Sequence, residues 1–417
     1  MKKNLIILTF ISFQLSLFGK ADYLRVIFNH NASHQATIGW TQTSGSAIRI
    51  YFGTRDETGA VVLTPKGITT SNLFKGHENN FVRLTSLKPN TLYFFSIEDN
   101  EGRSAIYRFS TVSNNPEDRI SLIGGGDSRT RRKQRQEGFK MAGKLKPHAI
   151  LFDGDYTDID SGEKWKLWFE DWTLTYKDFD NHLIPIIPAR GNHERTNKDL
   201  VNFFDCPSTK NYYNVTMGGD LINIICLNTE IAFNGAQKQF LKKTLDHHKH
   251  FYWQLPQYHR SCRPHVAWKM KMKGVKQIYK HWIPLFEKYG VRAVLECDSH
   301  ITKSTYPIVM SKDKTSEEGF KRDDENGIVY VGEGCWGAPL RVPDRIRGWS
   351  RHVDKIDSFK WFFIDQDKIE IRTVAYMNAD EVEPLTDQKR FSIPKELQLW
   401  PSKDQTIIIN HKIDCNL

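Results

Sequence analysis

Ile187-Pro188-Ala189-Arg190-Gly191-Asn192-His193-Glu194 closes an apolar run that begins at Leu183 and breaks off in polar side chains. Such a run reads as a buried strand delivering Asn192 and His193 at its C-terminal end. In an open α/β sheet, sites form at that edge. Asn192 offers a carbonyl oxygen to a cation, and His193 an imidazole that gives or takes a proton. Gly191 lets the backbone pass close to a bound group. An Asn-His pair after a strand is also an ordinary capped turn, so the weight falls on what stands upstream. There Ile120-Ser121-Leu122-Ile123 runs into Gly124-Gly125-Gly126-Asp127-Ser128-Arg129, and Ala149-Ile150-Leu151-Phe152 runs into Asp153-Gly154-Asp155-Tyr156. Three successive strands therefore end in Gly-Asp, Gly-Asp and Gly-Asn-His. Two carboxylates and an amide at one sheet edge repel unless cations neutralise them. One shared carboxylate is the usual way to hold two ions about 3.5–4 Å apart for phosphoryl chemistry. Downstream, Ala293-Val294-Leu295-Glu296 delivers Cys297-Asp298-Ser299-His300, which places a nitrogen ligand, His300, at a further strand end.

Around these strands the pattern alternates. Helical segments are predicted over 131–145, 163–179, 235–247 and 273–288. Strands are predicted over 221–227, 250–254 and 293–296, and near 328–331, 361–364 and 369–375. Strand–helix alternation means βαβ units and a mostly parallel sheet buried on both faces. Residues 21 to about 113 differ. Short runs such as Ala36-Thr37-Ile38-Gly39-Trp40 and Leu92-Tyr93-Phe94-Phe95 alternate apolar and polar between Gly, Asn and Ser. Period two with frequent turns predicts an antiparallel sandwich. Trp165, Trp168 and Trp172 fall at helical spacing and are expected as core or as a wall of the site.

The chain has 417 residues, 39% hydrophobic and 26% charged, as in an ordinary soluble protein large enough for two or three domains. A formal charge of +10 suits an anionic substrate or nucleic acid, but it is spread along the chain. The runs Arg131-Arg132-Lys133-Gln134-Arg135 and Lys269-Met270-Lys271-Met272-Lys273 read as solvated helix or loop faces, and no nucleic-acid partner is expected. Met1-Lys2-Lys3 followed by the apolar run 5–18 reads as a secretory signal ending near Gly19, too short to span a bilayer. A secreted or periplasmic location follows, with no other long apolar segment. The six cysteines form no CxxC pair, and their pairing cannot be read from spacing.

Leu84-Thr85-Ser86-Leu87-Lys88-Pro89-Asn90-Thr91-Leu92-Tyr93 resembles the fibronectin type III signature, in which a Pro-containing turn precedes a strand whose Tyr anchors a corner. Gly126-Asp127-Ser128-Arg129, Gly154-Asp155, Gly191-Asn192-His193-Glu194 and His300 resemble the calcineurin-like metallophosphoesterases. The stretch Gly332-Glu333-Gly334-Cys335-Trp336-Gly337-Ala338-Pro339 resembles that family's late Gly-rich loop. With the fibronectin-like segment in front, the chain looks most like a purple acid phosphatase. The resemblance implies a β-sandwich over 20–113, an α/β metallophosphoesterase domain of two packed mixed sheets flanked by helices over 117–400, and a tail over 401–417. It implies hydrolysis of phosphate monoesters in small phosphorylated substrates by a metal-bound hydroxide, with two ions drawn from Fe, Mn, Zn or Mg. Asp127, Asp155 and His300 would hold the first ion, and Asp155 would bridge to a second that Asn192 also binds. His193 would contact the phosphate and act as general acid. Arg129 either faces the phosphate or pairs at the surface.

Two departures stand beside the resemblance. Asp298 replaces the first His of the family's Gly-His-x-His, and Gln254 stands where the family places another ligand His. Both positions of the second ion thus become oxygen donors, which suit Mg or Mn, or nothing. The competing reading is a weakened or non-catalytic binding protein on the same fold. His259 and His265 are two further candidates, as replacement ligands or as plain loop histidines. The Tyr of purple enzymes is Asp158 here, so no purple colour is expected.

Overall fold

The computed structural model describes residues 20–402 and 405–411. The proposed signal segment and Cys415 lie outside them. Two β-sheets pack face to face through the middle of the molecule. Gly124 of one lies so close to Leu295 of the other that a Cβ on the glycine would come within 2.5 Å of the leucine side chain. The first sheet runs, in order, through Leu399–Trp400, Lys368–Ala375, Ser358–Ile364, Ile120–Gly125, Ala149–Phe152 and Ile186–Pro188, and continues beyond the last of these into the N-terminal strands. The second runs through Tyr213–Met217, Ile222–Cys226, Trp253–Arg260, Ala293–Cys297, Val329–Gly332, Thr302–Thr305 and Ser350–Asp354. The central strands of each are parallel and buried along nearly their whole length, as cover on both faces demands. Helices Ala236–His247, Lys273–His281 and Ile283–Lys288 cover the second sheet through Leu241, Leu245, Ile278, Trp282 and Phe286.

The N-terminal segment is a sandwich of two antiparallel layers. One contains Arg49–Arg55, Val61–Lys66 and Leu92–Asp99. The other contains Ala21–Ile27, Ala36–Gln42, Thr70–Phe74 and His77–Leu84. This second layer continues into the first central sheet: Ile27 pairs in parallel with Ile186, and Phe28 N–H donates to the Ile186 carbonyl at 3.1 Å. One hydrophobic core therefore runs from Trp40 and Phe95 to Trp361. The expected tyrosine corner is present, with Tyr93 Oη accepting from Lys88 N–H at 2.7 Å.

Several elements depart from the periodicity. The helix expected over 163–179 stops at Trp172 and tightens into a 3₁₀ turn, Thr173–Thr175. That expected over 273–288 breaks at Trp282, because Pro284 starts a new helix. Strand Trp253–Arg260 starts at the end of the segment expected over 250–254 and runs straight through Pro256, which sits in the sheet interior opposite Ile225. Proline normally marks an edge or a strand end, and that rule truncates this strand on paper. Within the expected tail, Ile407–Asn410 adds a strand to Lys368–Ile371.

Five cysteines, Cys206, Cys226, Cys262, Cys297 and Cys335, are free and buried. Trp165, Trp168 and Trp172 are core residues, and Trp168 reaches the site by donating its Nε1–H to Ser128 Oγ at 3.0 Å.

Candidate metal centre

The C-terminal ends of the central strands of both sheets converge. Asp127, Asp155, Asp298 and His300 all sit just past strand ends, and all four adopt positive φ, between +55° and +76°. Left-handed backbone at non-glycine residues costs about 1–3 kcal/mol each and persists only where the surroundings enforce it; such residues cluster at functional sites. Two glycines make the room. A Cβ on Gly334, in the late Gly-rich loop, would lie 1.8 Å from Asp127 Oδ2, and one on Gly191 would lie 2.3 Å from Asp155 Oδ1.

Among the described residues, Asp127, Asp155 and His300 form the group of His, Cys, Asp and Glu side chains whose ligand atoms all lie within 4.8 Å of one another, and all three are buried. His300 Nδ1 is 3.0 Å from the Pro339 carbonyl. A carbonyl only accepts, so Nδ1 carries a proton. Nε2 lies 3.0 Å from Asp127 Oδ1, a contact that either a proton on Nε2 or a metal cation between the two atoms would hold. An outward Nδ1–H held by a carbonyl is also the support a metal-binding imidazole commonly has. The donor set, two carboxylates and one imidazole, fits a transition metal or Mn. The Arg129 guanidinium lies against the same ligands: Nη2 is 3.2 Å from His300 Nε2, and Nε is 3.6 Å from Asp155 Oδ2. Arg129 is therefore at the site and not paired at the outer surface.

Around the expected second position Asn192, Asp155 and Asp298 do come together, but Gln254 does not join them: it lies near the start of its strand, where its amide bonds Leu245 and Asn223. The last turns of the same strand deliver His259 instead. His259 donates Nδ1–H to the Asp153 carbonyl at 2.8 Å and turns Nε2 toward Asn192 Oδ1 at 3.2 Å, Asp155 Oδ1 at 3.3 Å and Asp298 Oδ1 at 3.6 Å. Burial disfavours its charged form, but the carboxylates of Asp155, Asp127 and Asp298 outweigh burial and push it up to about 10. His265 stays out; it bonds Ser350 Oγ at 2.7 Å and packs on Trp349, and burial and neighbouring cations push it down to about 2. Asp298 is present but occupied. Its Oδ1 is 2.5 Å from Lys269 Nζ, and both side chains are buried. The run 269–273 is thus not a solvated face at its first residue, nor is 131–135 at its last, where Arg135 is buried on Asp171.

His193 donates Nδ1–H to the Asp158 carbonyl at 2.8 Å, leaving Nε2 aimed at the site, 3.8 Å from Asp155 Oδ2. Its backbone N–H holds Asp155 Oδ1 at 2.8 Å. Glu194 clamps the whole turn. Its carboxylate accepts from Asp155 N–H and Tyr156 N–H, both at 2.9 Å, and from Gly191 N–H at 2.7 Å. Burial and the charge of Asp155 push Glu194 up to about 8, against those three hydrogen bonds.

Comparisons with known proteins agree with this geometry. The family model for calcineurin-like phosphoesterase matches residues 123–301, a stretch that takes in Asp127, Asp155 and His300. The purple acid phosphatase PPD1 from yellow lupin (Lupinus luteus) seeds superposes with a TM-score of 0.69 at 17% identity, over 87% of this chain and 73% of that one. A structure of PhoD superposes with a TM-score of 0.64 at 11% identity, over 86% and 88%. No curated protein matches the chain. Residues 123–301 are therefore similar to calcineurin-like phosphoesterases, in a chain whose fold is that of the purple acid phosphatase and PhoD structures.

Proposed function

We propose that the protein is a metal-dependent phosphoesterase acting on phosphate monoesters of small molecules. The observation that carries this reading is the convergence of Asp127, Asp155 and His300, with His300 Nε2 3.0 Å from a carboxylate oxygen of Asp127. When bound there, a metal ion supplies Lewis-acid activation of water and neutralises phosphoryl charge. The chain's own groups do the rest. Arg129, whose Nε has no hydrogen-bond partner, directs a fixed cation at the space beside Asp155 and His300, where it would orient phosphoryl oxygens. His193, locked by Asp158 so that Nε2 faces the site, would deliver a proton from that atom to the leaving ester oxygen as the P–O bond breaks. Water supplies the hydroxyl that replaces it, so the products are inorganic phosphate and an alcohol.

No helix among the described residues is long and apolar enough to cross a membrane. Export directed by residues 1–19 is part of the proposal and is checked by sequencing the N-terminus of the mature protein. The activity is tested with p-nitrophenyl phosphate and added Mn, Fe or Zn. Turnover that Asp155→Ala abolishes supports the reading. No turnover with any of the three metals leaves the fold as a binding module.

A further inference from the structure

Asp298 is the oxygen donor that would complete a second cation position with Asp155, Asn192 and His259. In the structure an ammonium already faces it. Lys269 enters from the short turn Lys269–Lys271 and places Nζ 2.5 Å from Asp298 Oδ1, with the two side chains only 4% and 8% exposed. The pair is held from both sides. The Lys269 ammonium lies over the Trp268 ring, 5.1 Å from its centroid. Arg341 donates to the Asp298 carbonyl at 3.0 Å and stacks on the same indole. A divalent ion bound to Asp298 Oδ1 would sit within a few ångströms of this fixed positive charge. Moving Lys269 aside would break a buried ion pair and leave one partner uncompensated. Among the described residues, Asp155, His259 and Asp298 do not form a three-ligand group, whereas Asp127, Asp155 and His300 do.

We propose that Lys269 takes the place of the second cation: the centre holds one metal ion, at Asp127, Asp155 and His300, and the Lys269 ammonium neutralises the remaining acidic edge. The sequence is consistent with paired changes, since Asp298 adds a negative charge where the resembling family carries a neutral imidazole, and Lys269 supplies the positive charge that balances it. The inference rests on the reading above that the first position takes an ion.

The test counts metal and does not depend on turnover. Full-length protein is stripped with a chelator, dialysed against excess Mn²⁺ or Zn²⁺ and counted by mass spectrometry of the metal. Wild type should retain one equivalent, Lys269→Arg one, and Lys269→Gln two, each in protein whose melting curve shows it folded. An anomalous diffraction map of the wild type should show one peak, between Asp127, Asp155 and His300, which keeps the question answerable if Lys269→Gln does not fold. Two equivalents in wild type, or a peak beside Asn192 and His259, overturn the proposal and leave the first position standing. One equivalent in both wild type and Lys269→Gln also overturns it, because the ammonium is then not what excludes the second ion. No metal in wild type overturns both the proposal and the reading beneath it.

Discussion

The two cation positions of this centre share Asp155 and little else. At the first, His300 Nε2 and Asp127 Oδ1 face each other with the imidazole proton turned away to Pro339. At the second, His259 also donates its Nδ1–H to Asp153, but against burial the surrounding carboxylates push it up to about 10, and the Asp298 carboxylate across from it is tied to Lys269. Each position faces a cation of the chain, but Arg129 stands 3.6 Å from Asp155 Oδ2 at the first, whereas Lys269 is in direct contact with Asp298 at 2.5 Å at the second. The same fold edge, with the same strand-end logic, thus serves two outcomes according to whether a lysine reaches the ligand.

The largest effect should come from the shared residue. Asp155→Ala should reduce phosphatase activity to background in a p-nitrophenyl phosphate assay, whereas His193→Ala, which leaves the ligands in place, should lower kcat by about 10²–10⁴-fold. Next, the two histidines should separate. His300→Ala should weaken Mn²⁺ binding in calorimetry by more than the roughly 10–100-fold typical of outer residues. His259→Ala should weaken it by less than that. Equal losses would break the comparison. Glu194 supports both positions through the backbone of residues 155, 156 and 191. Glu194→Ala strands three buried N–H groups and should cost about 3 kcal/mol in denaturant unfolding.

The smallest effect compares two buried lysines. Lys269 has a carboxylate, whereas Lys360 has only hydroxyls, Thr302 at 3.1 Å, Ser304 at 3.3 Å and Thr373 at 2.7 Å. Burial pushes Lys360 down to about 7. Between pH 7 and the ordinary lysine range near 10.5, the unfolded chain binds this proton and the folded chain does not, so folding gains stability as pH rises through that window. The advantage in melting temperature of Lys360→Met over wild type should therefore be greatest below pH 7 and shrink by pH 9. A difference independent of pH would contradict the assignment.

Much of this was legible in the residues. Gly126-Asp127, Gly154-Asp155 and Gly191-Asn192-His193 name the strand ends that the structure brings together, because apolar runs and the turns after them are local signals. Lys269 was not legible. It opens a basic run that resembles a solvated face, and only the packing of Trp268, Arg341 and the strand end at Asp298 draws it inward. His259 reads only as a replacement ligand, because the family pattern of a His two residues before a Pro points to Gln254, ahead of Pro256, in this sequence. The tertiary context keeps the strand through Pro256 running to Arg260 and brings His259, rather than Gln254, to Asn192 and Asp155. Glu194 was quoted within its motif without a role, since its partners are backbone amides that no side-chain pattern reveals.

The most direct measurement compares chelator-treated wild type and Asp155→Ala for p-nitrophenyl phosphate hydrolysis, before and after adding back Mn, Fe or Zn. Hydrolysis that disappears on stripping, returns with metal in wild type and never returns in Asp155→Ala is the predicted result. Hydrolysis that survives stripping, or no hydrolysis with any of these metals, would contradict the account.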